Sequence, residues 1–147
     1  MNWLSTLAKH VDCLSGRYEA FPVRDESTRA SALQVLDKVR RNESAAFVDA
    51  EIPYELYALK DTRIDKVIGC IRVTKAQDIA GIAHSREEYH LHKFPPAILS
   101  RTQVFTRLVI LREYHKTAAS LVLFRRLFAD ALPRGVRAHA APRAAPV

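Results

Sequence analysis

The chain has 147 residues, 48% of them hydrophobic, and a formal net charge of +7, which suits one domain with a real core. No apolar run reaches the roughly 18 residues of a membrane span, and MNWLSTLAKHVDCLSG lacks the basic start, continuous apolar stretch and cleavage site of a secretory signal. Two cysteines, Cys13 and Cys70, make no disulfide framework, so free thiols in a reducing cytoplasm are expected.

From residue 2 to 14, Trp3, Leu4, Leu7, Val11 and Leu14 recur at helical spacing. This predicts a short amphipathic helix within 1–16, packed on the domain or presented to a partner. Tyr18 to Val23 reads as a strand. Asp25, Ser27 and Thr28 offer capping oxygens, Ser27 and Thr28 the better placed. Ala32, Leu33, Val35, Leu36 and Val39 then form one helical stripe. Lys38, Arg40 and Arg41 suit the C-terminal end of its dipole, and Asn42 is placed to cap it.

YELYALK at 54–60 alternates as a strand does. DTRID at 61–65 is a polar turn, and KVIGCIRVT is rich in β-branched residues, so the pair reads as an antiparallel hairpin. Gly69 inside its second strand marks a bulge or a close backbone approach. From Lys75 to Gln103 no period is sustained, and a connection this long is functional or mobile. Gln103 to Leu111 is the clearest strand. Thr117 to Leu132 is the clearest helix, with Leu121, Phe124, Phe128 and Ala131 on one face and Pro133 and Gly135 to stop it. The order implies an α+β or α/β domain over 17–135, with helices flanking a mixed, mostly antiparallel sheet. The Ala/Pro/Arg-rich stretch 136–147 is expected to be disordered.

The junction TRLVILREYHKTAAS carries the chemistry. A helix beginning near Lys116 or Thr117 leaves its first amides unpaired. With the helix dipole they form an anion site. Ala118, Ala119 and Ser120 are small enough to admit a phosphate, His115 and Lys116 add charge, and the Thr117 hydroxyl adds a hydrogen bond. A plain capped helix with nothing bound is the other reading. Arg107 belongs, by alternation with Phe105, Val109 and Leu111, to an apolar face and needs a partner. Glu19 or Glu55 would make a structural pair, whereas a substrate carboxylate or carbonyl would make it a clamp.

RLVILREYHKTAASLVLFRRLF resembles the acyl-CoA-binding core of the GNAT superfamily of N-acyltransferases. KVIGCIRV is similar to that family's central hairpin strand, and YEAFPVRDEST…ALQVLDKVRRN to its first strand and helix. The long connection before Thr106-Arg107-Leu108 brings the chain nearest the long-chain N-acyl amino acid synthase and autoinducer synthase branches. The likeness spans roughly 17 to 133. It implies that the backbone of Val109, Ile110 and Leu111 faces pantetheine. His115, Lys116, Thr117, Ala118, Ala119 and Ser120 would then ring the phosphates. The turn holds no glycine: His115 takes the basic position, Ala118 the Gly position and Ser120 the last. Cβ atoms there crowd a diphosphate, and an acyl carrier protein with one phosphodiester asks less.

The implied reaction moves an acyl group from acyl-CoA or acyl carrier protein to an amine, with an amino acid as the preferred acceptor. The donor is a co-substrate, and no tightly bound cofactor is expected. Direct attack needs no covalent intermediate, so Cys13 and Cys70 need not be nucleophiles, and Cys70 reads as a buried strand residue. Glu87, Glu88, Tyr89, His90 and His92 are candidates to sit over the site. His90 and His92 alone do not make a metal site, and none is expected. The family continues past this helix with further strands, so a C-terminally truncated member is expected, with an open edge at 104–111 that a homo-oligomer would cover. A non-catalytic remnant or interaction module is the alternative. A basic nucleic-acid binder is a further one, although the arginines are dispersed and match no binding motif.

Overall fold

The computed structural model describes residues 16–40 and 53–143. The helix expected over 2–14 and the Asn42 cap lie outside them. Four strands, β1 (Tyr18–Pro22), β2 (Glu55–Asp61), β3 (Lys66–Lys75) and β4 (Gln103–Ile110), form one sheet in the order β1-β2-β3-β4. All three pairings are antiparallel, so the class is α+β and the sheet is not mixed.

Helix α1 (Glu26–Arg40) follows β1 and covers one face of the sheet. Asp25, not Ser27 or Thr28, caps it: its Oδ2 accepts the Thr28 amide at 2.8 Å. A carboxylate there satisfies an orphan donor and also answers the positive end of the dipole. Ala32 and Val35 are buried, Leu33 and Leu36 pack at the margin, and Val39 is exposed. The Cys70 thiol approaches the Ala32 carbonyl, which fixes Cys70 and its cross-strand partners Ala58 and Val109 on the α1 face.

The opposite face, carrying Tyr57, Leu59, Ile71 and Val73, receives the long helix after β4. The intervening stretch is a chain of short helices: α2 (Ala76–Ile79), α3 (Ala83–Glu88), a 3-10 turn (Leu91–Lys93) and α4 (Pro96–Leu99). None is long enough to show a period, which is why the sequence reads there as irregular. Ala76, Ile79 and Leu91 make a small core of their own under them.

The last helix, α5, spans Ala119–Arg143. It runs through Pro133 and Gly135 instead of stopping there, and residues 136–143 are helical rather than disordered. Alanine and arginine, both strong helix formers, make up six of the ten residues 134–143, so the stretch between Pro133 and Pro142 keeps a helical preference despite Gly135. Its inward face is Ala119, Val122, Leu123 and Leu127. The expected stripe lies at the margin: Leu121 and Phe128 are exposed, Ala131 is half-buried, and Phe124 packs against the core's edge. Both stripes are apolar, so periodicity alone could not choose between them. No helix among the described residues is long and apolar enough to cross a membrane.

Candidate functional site

Among the described residues β4 is an edge of this sheet, and its ladder with β3 is interrupted. Cys70 pairs with Val109 and Arg72 with Thr106, so Arg107 and Leu108 together stand against Ile71. This is a β-bulge. Arg107 sits at φ 56°, in the left-handed region, a conformation that costs a residue with a Cβ about 1–3 kcal/mol. The bulge shifts the strand's phase by one residue. Phe105, opposite Val73, points to the α5 face and meets Phe128 edge-on with ring centroids 6.1 Å apart. Val109 and Leu111 point to the α1 face. The expected alternation of Phe105, Arg107, Val109 and Leu111 on one face therefore fails. Arg107 is half-buried at the bulge.

The strand leads into a 3-10 turn (Arg112–Tyr114) and the head of α5. Here the predicted ligands divide. The Leu111 amide donates to Ile68 O at 2.8 Å, and the Ile110 carbonyl accepts from His115 Nε2 at 2.7 Å. A carbonyl can only accept, so Nε2 carries the proton and the imidazole is folded back onto the strand. Thr117 is also committed: its hydroxyl donates to Tyr114 O at 2.7 Å and accepts the Ala119 amide at 3.2 Å. Ala119 is wholly buried. Thus Leu111, Ile110, His115, Thr117 and Ala119 build the turn.

Three predicted residues keep binding capacity. The Ala118 and Ser120 amides have no acceptor among the described residues. Lys116 is exposed beside them. The helix starts at Ala119, two residues after Thr117.

The underlying support is polar and ordered. Asp61, buried at the end of β2, accepts the Tyr114 hydroxyl at 2.9 Å and the Arg63 amide at 3.1 Å. Burial first, then this hydrogen bond, holds the Tyr114 phenol above its ordinary range. Tyr18 packs edge-on against Tyr114. Burial also pushes the Cys70 thiol up to about 11, which suits a core residue and not a nucleophile.

Two further sites are not apparent in the sequence. On the α5 face, a cavity of about 290 Å³ holds Arg24, Glu55, Tyr57, Arg126 and Asp130. Tyr57 donates to Asp130 at 2.8 Å, and Arg126 forks onto the same carboxylate at 3.1 and 3.2 Å. Burial and then Asp130 raise the Tyr57 phenol to about 12. On the α1 face, a larger cavity of about 410 Å³ lies between α1 and the β2–β3 turn. Their residues come from segments far apart in sequence, so no local motif announces them. In the connection, His90 and His92 lie edge-on, ring centroids 6.2 Å apart. No group of three or more His, Cys, Asp or Glu that could hold a metal occurs among the described residues.

Comparisons with protein-family models, with curated proteins and with solved structures found no match for the chain.

Proposed function

We propose that the chain is an N-acyltransferase-type core of the GNAT kind that binds an acyl thioester along β4 and presents it to an amine, an amino acid in the first instance. The observation that carries this reading is the pair of open amides, Ala118 and Ser120, at the head of a 25-residue helix directly after the edge strand. Unpaired amides and the helix dipole favour an anion. The order strand, helix, hairpin, connection, strand, helix supports the same reading.

The chemistry narrows the donor. Two amides, the Ser120 hydroxyl and the Lys116 ammonium match one phosphodiester more closely than a diphosphate. A phosphopantetheine carried by a protein is therefore the favoured donor, with acyl-CoA the weaker one. Pantetheine would lie along the open side of β4 beside the bulge. The neutral amine nitrogen attacks the thioester carbonyl, the C–N bond forms, the C–S bond breaks, and the proton lost from the nitrogen is taken by the leaving thiolate. Arg107 at the bulge would hold the acceptor carboxylate.

Thermal unfolding with and without acyl-CoA, and with an acyl carrier protein, tests this. A ligand bound only by the folded chain at 100 times its Kd stabilises by about 2.7 kcal/mol. Lys116→Ala combined with Ser120→Pro should abolish the rise. A Tm unmoved by millimolar acyl-CoA and by acyl carrier protein alike refutes the reading.

One observation favours a second reading, an interaction module. Leu108 of β4 and Phe128 are exposed, and Phe128 meets the half-buried Phe105 of β4, an edge strand among the described residues. A protein strand adding to β4 would cover that apolar strip, and this reading expects no response to thioesters.

A further inference from the structure

The cavity on the α1 face combines apolar and basic side chains. Its floor is apolar: Val35 from α1, Val67 from β3, Leu111 after β4 and Phe21 from β1. Val35 and Leu111 are buried, while Phe21 and Val67 are half-buried and reach the opening. Its rim carries Lys38, Lys60 and Lys66, and Ser27, Thr28, Ser31 and Gln34 line the α1 side. Phe21, Lys60 and Val67 share one face of the sheet because cross-strand partners point the same way.

The charge is unbalanced. Asp65 is the one carboxylate among the lining residues, and it pairs with Lys60. Lys38 and Lys66 have no carboxylate partner among the described residues. Three ammonium groups against one carboxylate leave a local charge of two. Glu19, outside the cavity, also acts on Lys60. Like charges gathered without partners repel one another, and an anion relieves that repulsion. A phosphate monoester, at about −1.5 to −2 near neutral pH, matches the excess, whereas a carboxylate leaves half of it. The floor would accept a flat apolar body against Phe21, and the volume lies within the usual range for small-ligand sites, roughly 300–1,000 Å³.

We propose that the cavity between α1 and the β2–β3 turn binds a small phosphate monoester, its ring against Phe21, Val35, Val67 and Leu111 and its phosphate among Lys38, Lys60 and Lys66. The Gln34 amide and the Ser27 hydroxyl line the same wall, whereas the Ser31 hydroxyl donates to Ser27 O and the Thr28 hydroxyl to Asp25. On binding, the phosphate competes with Asp65 for Lys60. The site is independent of the thioester reading, because only Leu111 is shared with that stretch and the probes carry no thioester.

The test is titration calorimetry of the whole chain with AMP, phenyl phosphate, adenosine, phenol and inorganic phosphate. AMP or phenyl phosphate should bind, with adenosine and phenol at least about tenfold weaker, since charge-assisted hydrogen bonds are lost. The stronger of the two esters tells whether the body is a nucleoside or a simple arene. Lys66→Met and Lys38→Met, both at exposed positions that keep the fold, should each weaken the ester about tenfold. Neither should change the response to an acyl carrier protein, whose phosphopantetheine carries a phosphodiester and no phosphate monoester. Equal binding of inorganic phosphate and the esters, no binding of either ester, or full affinity in the Lys38→Met/Lys66→Met double variant overturns the proposal.

Discussion

Gly69→Ala isolates the contact that sets β4 against β3. A Cβ built at Gly69 would lie 2.8 Å from the Val109 carbonyl oxygen and 3.0 Å from Ile110 Cγ1. The first is a backbone atom in a paired strand and cannot swing aside. Gly69 is not at positive φ, so the backbone angle itself admits alanine. Two effects then oppose each other. Restricting the unfolded chain stabilises by about 0.4–1 kcal/mol, and overpacking costs about 1–3 kcal/mol. The contact is short and rigid enough that the second should win, leaving a net loss of roughly 1–2 kcal/mol. Urea unfolding followed by far-UV circular dichroism should show a midpoint lower by about 0.5–1 M. Gly81→Ala is the control: nothing lies within 4 Å of a Cβ there, so its midpoint should hold or rise. An unchanged or higher midpoint for Gly69→Ala would refute the argument, because entropy would then have outweighed the clash.

Tyr57 should make stability pH-dependent at the alkaline end. Its folded pKa of about 12 exceeds the unfolded value near 10, so the neutral phenol is favoured by folding. Its contribution is full below about pH 10 and lost as pH climbs toward 12, at up to ~1.4 kcal/mol per unit. Tyr57→Phe should remove that slope and cost roughly 1 kcal/mol at neutral pH, as read from urea midpoints of both proteins between pH 8 and 11. Cys70, with its thiol near 11, should resist iodoacetamide at pH 8, its peptide labelling at least ~100-fold slower than in urea; rapid native labelling would contradict its burial. Thr117→Val keeps the side chain's shape but loses both hydroxyl bonds, and should destabilise by about 1–2 kcal/mol, with Thr117→Ser close to the parent.

The four strands were legible because each rests on a local signal. β3 is a run of β-branched residues, β2 alternates, and DTRID supplies the turn between them. The helix after β4 was legible for the same reason. What escaped depends on partners distant in sequence. Arg107 looks like any alternating strand residue until Ile71 is placed opposite it, and only then does the extra residue appear as a bulge. Which apolar stripe of α5 turns inward depends on the angle at which it crosses β1 and β2. Asp25 lay in view as a cap, but the backbone entry that favours it over Thr28 is fixed by where β1 ends.

The turn at 111–120 divides along the same line. Composition marked it as polar and small, which is enough to place a helix start and its open amides. It could not say which polar groups the turn would consume. His115 is spent on Ile110 O because the 3-10 turn brings residue 115 back over the strand end, and Thr117 is spent because its hydroxyl falls between Tyr114 O and the Ala119 amide. Polar side chains in a tight turn meet the turn's own unpaired backbone first, since leaving those groups unsatisfied costs as much as a ligand contact gains. What the turn leaves unbonded among the described residues is the Ala118 and Ser120 amides, with Lys116 exposed beside them.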